Sequence, residues 1–174
     1  MERPRKSRER SDRDIMYYAD LSTIPNSWHG SVLSGKAVGW LSCEYSYPKG
    51  KIASGFLERL SIFCCSSHIY YMGYHYCEFC NGPKSNNWNW REMIDDTPSM
   101  KLPTCGDNRH CLGSGDILIF GPGDVYIAPN MIYHYVADHD YLPPDEFIQA
   151  VLFSPLPDSA EYHARTIEYY HGKP

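Results

Sequence analysis

Cysteines and histidines occur in this chain at two spacings that are typical of zinc ligands. Cys77 and Cys80 are separated by two residues, so two thiolates on one tight turn can each reach a single ion at about 2.3 Å. Residues 81–83 read Asn-Gly-Pro and oppose the helix that a redox Cys-x2-Cys pair requires, which favours metal binding. His134 and His139 have four residues between them, within the window of zinc-finger histidine pairs.

Three further residues compete as ligands. His75 lies two positions before Cys77, so on an extended chain it faces the same side and is a fifth candidate. Cys105 and Cys111 have five residues between them and could turn the site into a four-cysteine one. The alternative for this last pair is two reduced thiols in a loop.

The number of protein ligands decides the chemistry of such a site. Four ligands close a tetrahedral zinc site and make it structural, whereas three leave a position for an activated water. The catalytic alternative is a zinc-dependent hydrolase with an open Cys2His site formed by Cys77, Cys80 and His134, and with Glu78 or His75 as the base. The chain offers at least four nearby candidate ligands, which favours a structural zinc, and it lacks the HExxH and deaminase motifs. The GxSxG and P-loop motifs of other enzyme classes are also absent.

Composition places these residues in an ordinary globular protein. Apolar residues make up 43% and charged residues 21% of the 174 positions, and no stretch is apolar enough for a membrane span. The first residues are charged rather than typical of a signal peptide, so a cytoplasmic location is expected. There the odd count of 7 cysteines favours metal ligands and reduced thiols, with Cys43, Cys64 and Cys65 expected in the core.

The net charge of −5 is unevenly distributed. Residues 1–14 carry six basic and four acidic groups, a net of +2, and have no large apolar residue after Met1. They are expected to form a disordered basic arm, and residues 15–174 a single globular domain with a net charge of −7. The arm could bind nucleic acid, but the acidic body opposes this and favours another protein as the partner.

The elements expected to position the ligands form an α+β fold, a small antiparallel sheet flanked by helices. Residues 37–41 predict a strand, and residues 116–120 and 125–128 predict a hairpin around a Gly-Pro-Gly-Asp turn. Helices are predicted after Ser54, after Asn130 as N-cap, after Pro143-Pro144, and over residues 159–171. Residues 81–112 predict a long loop. A knuckle, a hairpin and a ligand-bearing helix follow in the order of a treble-clef zinc finger, so a treble-clef-like zinc site is expected.

Two sequence blocks carry a family resemblance. The first is the HxCEFC knuckle at residues 75–80, and the second is the motif YxAPxxIYHYVxxHxYxPPxEF at residues 126–147. Over residues 16–153 the chain resembles a domain-of-unknown-function family of small, uncharacterised bacterial proteins, typical of actinobacteria and myxobacteria. The resemblance implies no activity. It favours a Cys2His2 site over a four-cysteine one. The five family-like positions are His75, Cys77, Cys80, His134 and His139.

The sequence therefore predicts a zinc-stabilised cytoplasmic protein that acts as a non-enzymatic protein-interaction or binding module. The zinc hydrolase is the alternative, and nucleic-acid binding through the N-terminal arm is the weaker one. Neither the motifs nor the composition names a substrate.

Overall fold

The computed structural model describes residues 17–25, 30–53, 55–70, 75, 77–80 and 112–173. The predicted arm, the predicted loop up to residue 111, and Cys105 and Cys111 lie outside the described residues. In the described part of the chain, no helix combines the length and the apolar character needed to cross a membrane. The described elements are β1 (Thr23–Ile24), β2 (Gly35–Ala37), α1 (Phe56–Cys65), β3 (Ile69–Tyr70), β4 (Gly115–Phe120), β5 (Val125–Pro129), α2 (Ile132–His139), α3 (Asp145–Phe153) and α4 (Ala160–His171).

The strands form one sheet in the order β1-β2-β5-β4-β3. Most neighbours are antiparallel, but β2 pairs with β5 in parallel, with Lys36 opposite Tyr126 and Ala37 opposite Ile127. The α+β class is thus confirmed, whereas the prediction of an antiparallel sheet was wrong because one central pairing is parallel. The chain between these two strands passes through α1, β3 and β4, a long crossover of the kind that a parallel pair requires.

The predicted hairpin is confirmed and forms the centre of the sheet. Strands β4 and β5 pair from Asp116 opposite Pro129 to Phe120 opposite Val125, and residues 121–124 connect them. All six residues of β4 are buried, so this strand is covered on both faces. The helices α1 and α3 pack against it and against each other, while α2 packs on α1. The hydrophobic core therefore lies between β4 and the helices.

The predicted strand over residues 37–41 is shorter in the structure. Strand β2 ends at Ala37, and Gly39 adopts φ 75°, a left-handed conformation that does not continue a strand. Gly39 N donates a 2.9 Å hydrogen bond to the carboxylate of Asp20, which fastens the N-terminal segment to this turn.

The four predicted helices are all present, although two begin differently. The N-cap of α1 is Gly55 with φ 96°, while Ser54 lies outside the described residues. The N-cap of α2 is Met131, so the assignment of Asn130 as the cap was wrong. Helix α3 begins after Pro144, as predicted, and the Ser159 hydroxyl caps α4 by accepting from Tyr162 N.

The cysteines outside the knuckle do not all lie where the sequence predicted. Cys64 is buried in the core, as expected, and burial raises the pKa of its thiol. Cys43 is exposed, so its assignment to the core was wrong. Cys65 is disulfide-bonded, so the prediction that it is a reduced thiol was also wrong.

Candidate metal centre

The Cys-x2-Cys knuckle is anchored by the aromatic residue inside it. The ring of Phe79 contacts the rings of Tyr47, Tyr135 and His139, with centroid distances of 5.1, 5.8 and 5.5 Å. Edge and tilted aromatic contacts at these distances add to the free energy gained from burial. Phe79 therefore fixes the turn that carries both cysteines against α2 and against the segment around Tyr47.

Helix α2 supplies the two histidines from its first turn and its last residue. His134 is completely buried, and His139 is half-buried at the C-terminal end. The helix is held because Tyr135 and Ile132 are buried, and because Asp140 ends it in a left-handed conformation with φ 54°. At that end the Tyr47 hydroxyl donates a 3.3 Å hydrogen bond to the carbonyl oxygen of His139.

The knuckle and the helix bring four potential ligand atoms together. The Sγ atoms of Cys77 and Cys80 and one ring nitrogen each of His134 and His139 lie within 4.8 Å of one another. The Nε2 atom of His139 is 3.2 Å from Cys77 Sγ, 3.4 Å from Cys80 Sγ and 3.1 Å from His134 Nε2. The Nε2 atom of His134 is 3.2 Å from Cys80 Sγ.

Four of these separations are close to the edges of a small coordination tetrahedron. Zinc–sulfur bonds of about 2.3 Å and zinc–nitrogen bonds of about 2.0–2.1 Å imply edges of about 3.6 Å between sulfur and nitrogen and about 3.4 Å between two nitrogens. The four distances given above are a few tenths of an ångström shorter than these values, whereas the widest pair of the cluster is up to 4.8 Å apart. The four side chains would therefore need only small shifts to hold a tetrahedral ion with two sulfur and two nitrogen ligands.

A carboxylate on the same helix orients one of the histidines. Nδ1 of His134 lies 2.8 Å from Oδ2 of Asp138, four residues later, and this contact assigns the ring proton to Nδ1. The lone pair on Nε2 then points into the cluster, which is the arrangement that metal-binding histidines use.

The pKa shifts of the two histidines and of Cys77 are compatible with metal binding by these side chains. Burial lowers the pKa of His134, although Asp138 partly opposes this, so the imidazole favours its neutral form. Burial also lowers the pKa of His139. Burial raises the pKa of the Cys77 thiol to about 12, even though the amides of Cys80 and Phe79 hydrogen-bond to it. A thiolate at Cys77 therefore needs a neighbouring cation, which a metal ion would supply.

His75 and Glu78 lie close to the cluster but outside it. The Nε2 atom of His75 is 3.5 Å from the hydroxyl of Tyr135, and its backbone N donates to Gly113 O at 2.7 Å. The Oε2 atom of Glu78 accepts a 2.7 Å hydrogen bond from the Cys43 amide. The cluster thus contains four of the five predicted ligands, and His75 is the one that it leaves out.

Sequence reasoning missed the residues that support the ligands. Asp138 had a usable signal, because a carboxylate four residues after a histidine lies on the same helix face. Phe79 and Tyr47 had none, since their contact depends on how two distant segments pack.

The fold and the site define an α+β domain with a Cys2His2 cluster that could hold a metal ion. A family model described as a domain of unknown function, DUF7919, matches residues 16–152, and the chain belongs to that family. No curated protein and no solved structure matches the chain. Membership of an uncharacterised family is thereby confirmed, and the bacterial origin stays a prediction.

Proposed function

We propose that Cys77, Cys80, His134 and His139 bind one zinc ion with a structural role, in a module that binds another protein. The observation that supports this proposal is the convergence of four ligand atoms from the knuckle and α2. Two thiolates and two imidazoles suit zinc better than the oxygen-preferring ions, because zinc accepts both sulfur and nitrogen.

The closed form of the site is favoured over the open one. The hydrolase alternative requires that only three of these side chains bind the ion and that a base stands beside the fourth position. Here a fourth potential ligand, His139, lies within reach of both sulfurs. Of the two candidate bases, Glu78 accepts a hydrogen bond from the Cys43 amide, and His75 contacts the Tyr135 hydroxyl.

The order of the described elements supports the proposal of a treble-clef-like arrangement. The knuckle at residues 77–80 precedes the β4–β5 hairpin, which leads directly into α2. Two ligands would come from the knuckle and two from the helix. The ion would then join the two parts of the chain that carry them, which is what structural zinc does in small domains.

The partner and the location are inferred from charge and from cysteine chemistry. The net charge of −7 on residues 15–174 favours a protein with a basic surface. Binding of nucleic acid through residues 1–14 is the weaker alternative. A cytoplasmic location suits thiolate ligands, but the disulfide of Cys65 is unusual in that compartment.

Metal analysis of the purified protein tests the proposal. We expect one zinc per chain in the parent protein and in Cys43→Ser, which removes an exposed cysteine from the same region. Cys77→Ser and His134→Ala should lose most of the bound zinc. X-ray absorption at the zinc edge should give two sulfur and two nitrogen ligands. A parent protein without zinc would refute the proposal, and an oxygen ligand in place of one nitrogen would favour the hydrolase.

A further inference from the structure

A cleft on the surface near the knuckle has four tyrosines among its nine lining residues. It encloses about 220 Å³ between residues 17–20 and 41–48. Pockets for drug-sized ligands hold roughly 300–1,000 Å³, so this cleft has room for one chemical head group rather than for a whole cofactor. Four tyrosines and one carboxylate contribute to its walls: Tyr17, Tyr18, Tyr45, Tyr47 and Asp20.

The rings of the outer wall are held by each other and by a tryptophan. Tyr17 and Tyr45 stack with their centroids 4.0 Å apart and their planes at 15°. Both remain exposed, by 38% and 50%, although large aromatic residues are usually more buried. Tyr18 packs edge-on against Trp40 at 5.7 Å. The aromatic wall is therefore formed before any ligand arrives, which reduces the entropy cost of binding.

The inner wall shows that one of these rings already accepts a cation. Tyr47 is fixed by edge contacts with Phe79 and Tyr141. The ammonium group of Lys49 lies 5.2 Å from the centroid of the Tyr47 ring, within the range of a cation–π interaction. Lys49 thus occupies one face of this ring, and a cation in the cleft would contact the other rings or the opposite face.

A carboxylate completes the cleft. Asp20 accepts hydrogen bonds of 2.9 Å from Gly39 N and from the Tyr141 hydroxyl, both of which are neutral donors. Within the described part of the chain, no lysine, arginine or histidine forms an ion pair with Asp20. Its charge is therefore balanced by dipoles alone, and a cation entering the cleft would meet a partly buried acid.

We propose that this cleft binds an alkylammonium group, and a quaternary one in preference. Such a group has little need of hydrogen-bond acceptors, so ring faces can replace its water, as in the aromatic cages that bind choline and methyl-lysine. Asp20 supplies charge complementarity and opposes any anion. The inference does not depend on the metal, because none of the cleft residues belongs to the ligand cluster.

Calorimetric titration of the full chain with choline and with 3,3-dimethyl-1-butanol tests the charge requirement. The two molecules have the same shape, and only choline is charged. We expect choline to bind and the uncharged analogue to bind at least about tenfold more weakly. Equal affinities, or no binding of choline, would overturn the proposal. Trimethyl-lysine within a short peptide, compared with choline, shows whether the trimethylammonium group is preferred on a protein side chain or on a small molecule.

Variants of the cleft test the assignment of its residues. Tyr45→Ala should weaken choline binding about 2- to 30-fold, whereas Tyr45→Phe keeps the ring and should bind like the parent. Tyr45 is half-exposed, so neither change threatens the fold. Asp20→Asn should also weaken binding, and Asp158→Asn, an exposed acid outside the cleft, should not. Unchanged affinity in Tyr45→Ala and Asp20→Asn would place any bound choline elsewhere.

Discussion

Asp138 lies one helical turn beyond His134 and holds its Nδ1 at 2.8 Å, while Nε2 of the same ring points toward Cys80 Sγ at 3.2 Å. One ring nitrogen of His134 thus contacts a carboxylate, and the other faces the cluster of potential ligands. A histidine that donates from one nitrogen presents a lone pair on the other, and the carboxylate raises its basicity. The relationship gives Asp138 a role that its partly exposed position alone would not suggest.

The first prediction concerns this carboxylate. Asp138→Asn keeps the shape of the side chain but removes its charge, so the His134 ring should be a poorer and less well oriented ligand. We expect the zinc affinity to fall about 10- to 100-fold, the range typical of such supporting residues. Competition with a fluorescent zinc chelator measures it.

Asp140→Asn is the matched control for that change. Asp140 is exposed and lies in the left-handed conformation that ends α2, which asparagine also tolerates. Its zinc affinity should equal that of the parent. Equal losses of zinc affinity in both variants would show that the affinity depends on the general negative charge of α2 rather than on the Asp138–His134 contact.

The sequence was sufficient to predict an element where several local signals agree. The β4–β5 hairpin combines two apolar runs with a Gly-Pro-Gly-Asp turn, and α3 begins where two prolines and two acids place its N-terminus. The cysteine and histidine spacings also indicated the ligand set. In the hairpin, in the helix and within each cysteine or histidine pair the determining residues lie on one short stretch of chain. The meeting of the two pairs, with Cys80 and His134 54 positions apart, depends instead on the fold.

Other features depend on contacts that are distant in sequence. The parallel pairing of Lys36 with Tyr126 joins residues 90 positions apart, which no local pattern encodes. Asn130 has the right type for a helix cap, but its side chain accepts from the buried Gly113 N at 2.6 Å and donates to Ser67 Oγ. A buried backbone donor without a partner costs more than an imperfect cap, so the distant contact prevails.

The second prediction concerns Gly113, which lies against the segment leading to the knuckle. It adopts φ 94°, and its carbonyl oxygen accepts from His75 N. A Cβ at this position would overlap the carbonyl oxygen of His75. Gly113→Ala should therefore lower the free energy of unfolding by about 1–3 kcal/mol, as measured in urea. Gly123→Ala, whose Cβ would meet open space, should unfold like the parent, and similar midpoints for all three proteins would contradict the prediction.

The third prediction concerns the pH dependence of stability. His68 stacks on Tyr162, and its Nε2 lies 3.0 Å from the Thr166 hydroxyl. Burial lowers its pKa, and His163 adds to this effect. The folded protein thus binds the His68 proton more weakly than the unfolded chain, whose histidine pKa is near 6.5. Stability should therefore be lost as the pH falls through 6.5 toward the lower folded pKa, by at most about 1.4 kcal/mol per pH unit.

His68→Gln tests that prediction because it removes the titration and keeps a hydrogen-bonding group. Unfolding midpoints between pH 7.5 and 5 should decline less steeply in His68→Gln than in the parent. His171→Gln, which changes an exposed histidine on the same helix as Thr166, should keep the parent slope. Parallel curves for the parent and His68→Gln would assign the acid sensitivity to other groups.

The fourth prediction links zinc to stability by mass action. An ion that binds only the folded chain adds about 4 kcal/mol when its free concentration is a thousand times its Kd. For a domain of this size, that corresponds to an increase in Tm of roughly 8–16 °C between chelated and zinc-saturated protein. His139→Ala should remove most of this increase, and its Tm in chelator should stay near that of the chelated parent because His139 is only half-buried. Cys43→Ser should keep the full increase. A parent Tm that responds to neither zinc nor chelator would mean that the knuckle and α2 are held together by Phe79 and its aromatic neighbours alone.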